Sequence, residues 1–238
     1  MKINASNMPF GELNEEIRSS SDRVIEIYET EGQRYIAAGS EGKDIKIYGV
    51  PGNALASFLD GSTVEVYDDV EDAVGDTMND GAIIVHGSAG DTAGYAMRGG
   101  RIYIRDKAGY RTGIHMKAYR EKQPLIIIGE SAGSFLGEYQ AGGTIIVLGL
   151  KQNGKAPVGY FTGTGMHGGR IILRSDELPV DLPSQVTWKR ADDEDRKEIS
   201  ALIGEFCTIF DLDRESIMKS NFFLLKPDSA TPYKRLYT

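Results

Sequence analysis

Residues that carry chemistry are scarce in this chain. It has one cysteine (Cys207), one tryptophan and three histidines among 238 residues. A lone cysteine excludes an internal disulfide framework and a cysteine-held cluster, and it fits a reducing, cytoplasmic setting. The longest apolar runs, Leu125–Ile128 and Ile145–Leu148, fall far short of the ~18 residues that span a bilayer. The first residues, MKINASNMPFGEL, lack the apolar segment of a secretory signal. Positive charge is in deficit, with 27 basic against 35 acidic residues and a net charge of −8. That balance disfavours general nucleic-acid binding.

What the chain has in excess is glycine, 29 residues, and the glycines fall at fixed offsets. Ser62 to Gly81, Gly81 to Gly100 and Pro124 to Gly143 are each 19 residues; Gly100 to Pro124 is 24 and Gly143 to Gly169 is 26. A fixed period of this size marks a stacked repeat. Aligned in columns, each unit opens on an apolar pair with one residue between. The pairs are Ile45/Ile47, Val64/Val66, Ile83/Val85, Ile102/Ile104, Leu125/Ile127, Ile145/Val147 and Ile171/Leu173. Alternate residues of a strand share a side, so the pairs face one interior. A methionine column follows at Met78, Met97, Met116 and Met166, with Gln140 in the same position. Two glycine columns complete the unit: Gly52, Gly90, Gly109, Gly133 and Gly159, then Gly75, Gly94, Gly113, Gly137 and Gly163. Glycine there permits positive φ or close approach of the neighbouring unit. No helical pattern lies between the strands, which argues against βαβ folds. The expected fold is an all-β solenoid, a single-stranded β-helix of about seven coils, with insertions near Lys117–Gln123 and Leu150–Ala156.

Three segments are expected: an N-terminal cap over 1–41, the repeat over 42–175 and a tail over 176–238. The cap reads as a short helix, Gly11–Arg18, and a hairpin of Val24–Tyr28 with Gln33–Ala37. In the tail, acidic residues from Asp192 to Asp195 start a helix with Ile199, Leu202, Ile203, Phe206 and Phe210 on one face. A second short helix starts at Asp213. The outward neighbours of the apolar pairs run Lys46, Glu65, Ile84, Tyr103, Ile126, Ile146 and Ile172. The last five are apolar, so that face needs a cover, either this tail or a partner.

The tempting sites are weak. Gly163-Thr-Gly165-Met-His-Gly168 matches a dinucleotide fingerprint in spacing, but a strand follows where a helix is required. His86, His115 and His167 sit at different offsets, and no metal set is expected. Asp72 and Asp91 share a column in adjacent units, the one basis for a polysaccharide-cleaving enzyme. No catalytic or cofactor-binding residue is assigned. Basic residues crowd two units, and Arg98, Arg101, Arg105 and Arg111, with His167, are the candidate interface.

The motifs Gly87-Ser-Ala-Gly-Asp-Thr-Ala-Gly, Ala96-Met-Arg-Gly-Gly, Gly137-Glu-Tyr-Gln-Ala-Gly-Gly and Gly163-Thr-Gly-Met-His-Gly-Gly resemble the GXGXG-motif family. That family includes the C-terminal domain of the glutamate synthase large subunit and is similar to one of the subunits of formylmethanofuran dehydrogenase. The resemblance covers about residues 42–175 and implies a right-handed β-helix. It also implies a non-catalytic brace between a glutamine amidotransferase and an FMN- and iron–sulfur-containing synthase, here as a free-standing subunit. Those two proteins are the implied partners; no cofactor is implied for this chain, and a homo-oligomer is possible.

Overall fold

The computed structural model describes residues 1–229; the expected tail segment runs on to 238, outside them. Chain order is β1 (Lys2–Asn4), α1 (Phe10–Ser19), β2 (Val24–Glu31), β3 (Asp44–Val50), β4 (Asp60–Val66), β5 (Asp80–Val85) and β6 (Arg101–Ile104). There follow β7 (Leu125–Ile128), β8 (Ala141–Val147), β9 (Gly168–Arg174) and β10 (Val186–Arg190). The chain then forms α2 (Asp193–Leu202), α3 (Gly204–Ile209), α4 (Arg214–Met218) and β11 (Phe222–Pro227).

These strands make one open 11-stranded sheet, ordered β1 to β9, then β11, then β10. Every pair from β1 to β9 is parallel, whereas β11 runs antiparallel to both β9 and β10. This corrects the expected single-stranded β-helix of about seven coils. Strands longer than a single bridge exist on one side of each repeat only. The return segments pass through left-handed residues at alternate positions, as in Ala73 (φ 60°), Gly75 (φ 68°) and Thr77 (φ 53°). Such backbone does not form a strand. Its amides still pair between repeats: Ala73 N donates to Asp91 O (2.8 Å), Gly75 N to Leu55 O (2.9 Å) and Thr77 N to Tyr95 O (2.7 Å). Elsewhere the repeats meet in single bridges, such as Val70 with Ala89 and Ala89 with Ala108.

The N-terminal hairpin is also corrected. Val24–Tyr28 belongs to β2, which pairs in parallel with β1 and β3. Gln33–Ala37 is a return segment, with Tyr35 and Ala37 both at φ 59°. The repeat therefore begins one unit earlier than expected, and the sheet runs without a break across residues 41 and 42. Leu13 and Ile17 of α1 pack into the same core as Ile25, Ile27 and Ile36.

A second correction concerns register. Ile102 lies opposite Ile126, and Ile104 opposite Ile128, so β7 turns Ile126/Ile128 inward. The expected inward pair, Leu125/Ile127, faces out. Following the 24-residue spacing through the insertion gives the observed register; a one-residue slip moves every side chain to the other face. Apart from that unit, the expected pairs are buried in one core with Met78, Met97, Met116 and Met166.

Both glycine columns have steric reasons in the stack. A Cβ on Gly113, at φ 72°, falls 2.5 Å from Ile145 Cδ1 in the core; one on Gly109 falls 2.2 Å from Asp91 Oδ1. The column of Gly113 thus combines left-handed backbone with core packing. The column of Gly109 marks places where a repeat closes on the backbone and capping side chain of the one before.

Candidate interaction surface

The outward face of the sheet is divided into two halves. On the later strands Tyr103, Leu125, Ile127, Ile146, Leu148 and Ile172 form an apolar sheet surface, and the tail lies on it. Ile199, Ile203, Phe206 and Ile217 of the tail supply the covering side, while Phe222 and Leu224 of β11 extend the sheet surface beneath them. The sequence built that cover locally. Asp192 caps α2, accepting from the amides of Glu194 and Asp195, while the Asp195 carboxylate accepts from the Asp192 amide. The Asp195 amide and Lys189 together hold the Asp192 carboxyl down at about 2. The helical stripe then brings Phe206 edge-on to Tyr103, at 5.9 Å between ring centres.

Ion pairs fasten the rim of this cover. Arg170 lays its two terminal guanidinium nitrogens on Glu198, at 2.7 and 2.5 Å, and donates from Nε to Thr144 Oγ1 at 3.0 Å. The Arg170 guanidinium holds the Glu198 carboxyl below its ordinary value, outweighing partial burial. Glu205 accepts from Tyr103 Oη (2.8 Å) and Arg101 (3.2 Å). Burial, then the Glu205 carboxylate, pushes the Tyr103 phenol up. Between tail and sheet lies a groove of about 570 Å³, lined among others by Arg101, Leu125, Gly143, Thr144, Arg170 and Glu198. Its two arginines are each matched by a carboxylate, and the groove follows from how the tail is seated.

The earlier strands lack that cover among the described residues. Here Tyr28, Tyr48, Tyr67 and His86 stack face to face, each 4.8 Å from the next, with interplanar angles of 8°, 5° and 13°. That is the strand spacing of a sheet expressed in aromatic rings. Phe210 of the tail meets His86 edge-on at 5.2 Å and marks where the cover stops. The ladder is bound to a charged row beside it: Tyr28 Oη donates to Glu26 (3.2 Å), and His86 Nε2 lies 2.9 Å from Glu65 Oε1. Burial and then Glu65 push the Tyr67 hydroxyl up. The ladder's spacings of 20, 19 and 19 residues were readable in the sequence, two places beyond each outward neighbour.

The candidate arginines do not converge. Arg101 pairs with Glu205 across the groove, Arg105 forks onto Asp106 at 2.8 and 3.2 Å, and Arg111 lies on the return side, bonded to Glu138 at 3.0 Å. Arg98 is exposed at the corner after Met97. The Arg105 guanidinium holds Asp106 below its ordinary value. His167 is half-buried, with Nδ1 3.2 Å from Gly165 O, and His115 stacks on Tyr139 at 5.3 Å. Thus the three histidines lie apart, and no group of His, Cys, Asp or Glu among the described residues is arranged to hold a metal. Nor is any helix among them long and apolar enough to cross a membrane.

Asp72 and Asp91 each turn a carboxylate oxygen to the backbone of the next repeat. Asp72 Oδ1 accepts from the Asp91 amide (2.8 Å), and Asp91 Oδ1 accepts from the Tyr110 amide (2.8 Å). Asn53 serves the Asp72 amide in the same way (3.2 Å), and Ser134 the Tyr160 amide (3.0 Å). In four repeats a polar side chain of this column, Asn53, Asp72, Asp91 or Ser134, caps the amide of the next. The pairing suggested by sequence is a structural ladder. Gly163 to Gly168 leads straight into β9, so no helix N-terminus stands ready for a pyrophosphate.

A repeat of glycine-cornered layers, one parallel sheet and a self-supplied cover define the class of protein. The sequence profile of the GXGXG motif family matches residues 16–227, and the chain belongs to that family. The match takes in the tail as well as the repeat, more than the segment that carried the resemblance. An uncharacterized protein of Methanocaldococcus jannaschii is 42% identical over 249 aligned positions, covering 99% of this chain and 95% of that one.

Proposed function

We propose that this chain is a non-catalytic scaffolding subunit of a glutamate synthase-type complex, bracing a glutamine amidotransferase against an FMN- and iron–sulfur-containing synthase. The observation that carries this reading is the family match over residues 16–227, since the GXGXG domain occurs at the C-terminus of the glutamate synthase large subunit. The use of the Asp72 and Asp91 carboxylates as amide caps fits a scaffold better than a hydrolase. The aromatic ladder from Tyr28 to His86, with Glu26, Lys46 and Glu65 alongside, is the surface offered to the partner proteins. It is flat, rigid and aromatic-rich, the composition of interface centres.

Reconstitution tests this. The purified chain is mixed with amidotransferase and flavin-synthase proteins from the same source and followed by size-exclusion chromatography with light scattering. Co-migration, and glutamine-dependent glutamate formation that falls when the chain is withheld, are the expected results. Separate migration together with full activity in its absence overturns the proposal. Co-migration with a pterin-dependent formylmethanofuran dehydrogenase instead assigns the scaffold to that complex.

A further inference from the structure

The sheet ends on β10, which pairs with β11 alone, and its other edge is open among the described residues. The bonds that flank this ladder fix which backbone groups face that edge. Ala191 N donates to Phe222 O at 2.9 Å, and Asp228 N donates to Gln185 O at 2.8 Å. In an antiparallel pair, residues bonded across to the partner alternate with residues whose amide and carbonyl point away. With Gln185 and Ala191 bonded across, Thr187 and Lys189 are too, opposite Lys226 and Leu224. Val186, Trp188 and Arg190 therefore turn their backbone groups to the open side. The Val186 amide is taken up by Pro183 O at 2.9 Å. Two donors, on Trp188 and Arg190, and the carbonyls of Val186, Trp188 and Arg190 are left for a further strand.

The side chains leave this edge approachable. Sheets commonly guard an edge with proline, a bulge or a projecting charge, and β10 has neither proline nor bulge. Its two charges are drawn onto the faces of the strand. Lys189 is held by Asp192 at 3.0 Å and Asp195 at 2.7 Å, and Arg190 lies over the Phe223 ring at 5.5 Å. Trp188, the single tryptophan of the chain, meets Phe223 edge-on at 5.7 Å and is still 51% exposed. The loop from β9 to β10 closes the same end of the core with Leu178 and Leu182, yet leaves Val180 89% exposed. An apolar end with an unpaired strand is the surface that a terminal repeat ordinarily hides.

We propose that β10 pairs with β10 of a second copy, antiparallel about a two-fold axis at Trp188, so that two sheets continue into one. The free groups are self-complementary in this register, as an isologous contact requires. Trp188 exchanges two hydrogen bonds with its counterpart, and the Arg190 amide of each copy reaches the Val186 carbonyl of the other. Those four bonds use every free donor. Lys189 then stands opposite Thr187 and Arg190 opposite Val186, so no like charges face each other. The neighbouring registers are poorer. An axis at Lys189 also permits four bonds but sets the two Lys189 side chains opposite one another, which is unfavourable. An axis at Thr187 permits two bonds, because the Val186 amide is already engaged. On the axis the two Trp188 rings lie side by side and leave water, as central interface tryptophans do. The contact is short, so association is reversible. The aromatic ladder from Tyr28 to His86, on the early strands, stays open for other proteins.

The test uses the full chain alone, so its outcome is independent of any complex. Sedimentation equilibrium across a concentration series should rise from the chain mass of 26.0 kDa to about twice that value. Trp188 fluorescence should move to shorter wavelength over the same series, since no other tryptophan contributes. Arg190→Pro removes an amide that faces the open edge, a place where an edge strand tolerates proline, and spares the bond from Ala191 N to Phe222 O. It should weaken dimerisation at least tenfold and leave the thermal transition in place. If it shifts that transition, Trp188→Lys is measured instead; it keeps the backbone and sets two like charges on the axis, with the same loss expected. A chain that is monomeric at the highest concentration, or a dimer indifferent to both variants, overturns the inference. So does a monomer whose Arg190→Pro variant no longer co-migrates with the amidotransferase or synthase, a result that assigns the edge to a partner protein.

Discussion

Replacing Gly113 with alanine separates two costs that the repeat imposes on one residue. The backbone there is left-handed, at φ 72°, and the added Cβ falls 2.5 Å from Ile145 Cδ1, 3.4 Å from Ile145 Cγ1 and 3.6 Å from Ile126 Cδ1. Left-handed backbone costs an L-residue roughly 1–2 kcal/mol. The core must also yield by about an ångström, and overpacking of that kind costs about 1–3 kcal/mol. Together they amount to about 2–5 kcal/mol, which lowers the melting temperature by roughly 4–20 °C in a chain of this size. Gly61→Ala is the control: its φ is 95°, yet a Cβ meets nothing within 4 Å, so about 1–2 kcal/mol of strain is all it should lose. The assay is urea unfolding of both variants beside the parent, with midpoint and slope compared. Equal losses at the two positions refute the packing part of the reasoning. A loss at Gly113 below about 1 kcal/mol refutes both parts. Ala37 and Ala56, which hold the corresponding places in earlier repeats at φ 59° and 54°, show that a methyl group is accommodated where the neighbouring core allows it.

Phe206→Ala removes a fully buried ring from between Tyr103 and Phe210 and should cost about 3–5 kcal/mol. Hydrogen exchange should rise first in α2 to α4, ahead of β2 to β6; simultaneous loss across the sheet contradicts tail helices that dock as a separate layer. Asp91→Asn should change stability by only a few tenths of a kcal/mol, because Asn53 already caps an amide in that column, while Asp91→Ala should lose about 1 kcal/mol. Thermal melts of the pair decide it, and equal effects tell against the capping role. Ionised Glu198 is stabilised by Arg170 and its folded-state value lies below the unfolded one. Its contribution is therefore full above the unfolded carboxylate value, about 4.3, and is lost as pH falls through the depressed folded value. Glu198→Gln should flatten that part of the acid-unfolding curve, and an unchanged curve removes the pair from the account.

Much of the inner core was legible in the chain because a period of 19 repeats one steric environment. Apolar pairs, methionines and glycines recur wherever interior, core filling and close approach recur. The outlines of the first helix and of the tail's capped helix were local too, set by spacing and an acidic N-cap. Three readings failed for non-local reasons. Gln33–Ala37 alternates like a strand, but its backbone is bonded to the next repeat and turns left-handed. Leu125/Ile127 looked like the inward pair, and only pairing with β6 across the insertion gives Ile126/Ile128 that place. The clustered arginines are neighbours in sequence, but Arg101, Arg105 and Arg111 turn to different sides of a layered object, each to its own carboxylate.

What the sequence determined by itself is the repeat and its steric grammar, because those constraints act within one unit and its neighbours. Four matters waited for the tertiary structure. One open sheet formed in place of a β-helix, the tail covered the apolar half of the outward face, the aspartates became amide caps, and Tyr28, Tyr48, Tyr67 and His86 became a ladder. Each depends on which backbone groups meet between layers or across more than a hundred residues, as Arg101 meets Glu205. Spacing shows that a position recurs, as it does for the ladder, but not which groups meet there, because that is fixed by the partner's geometry.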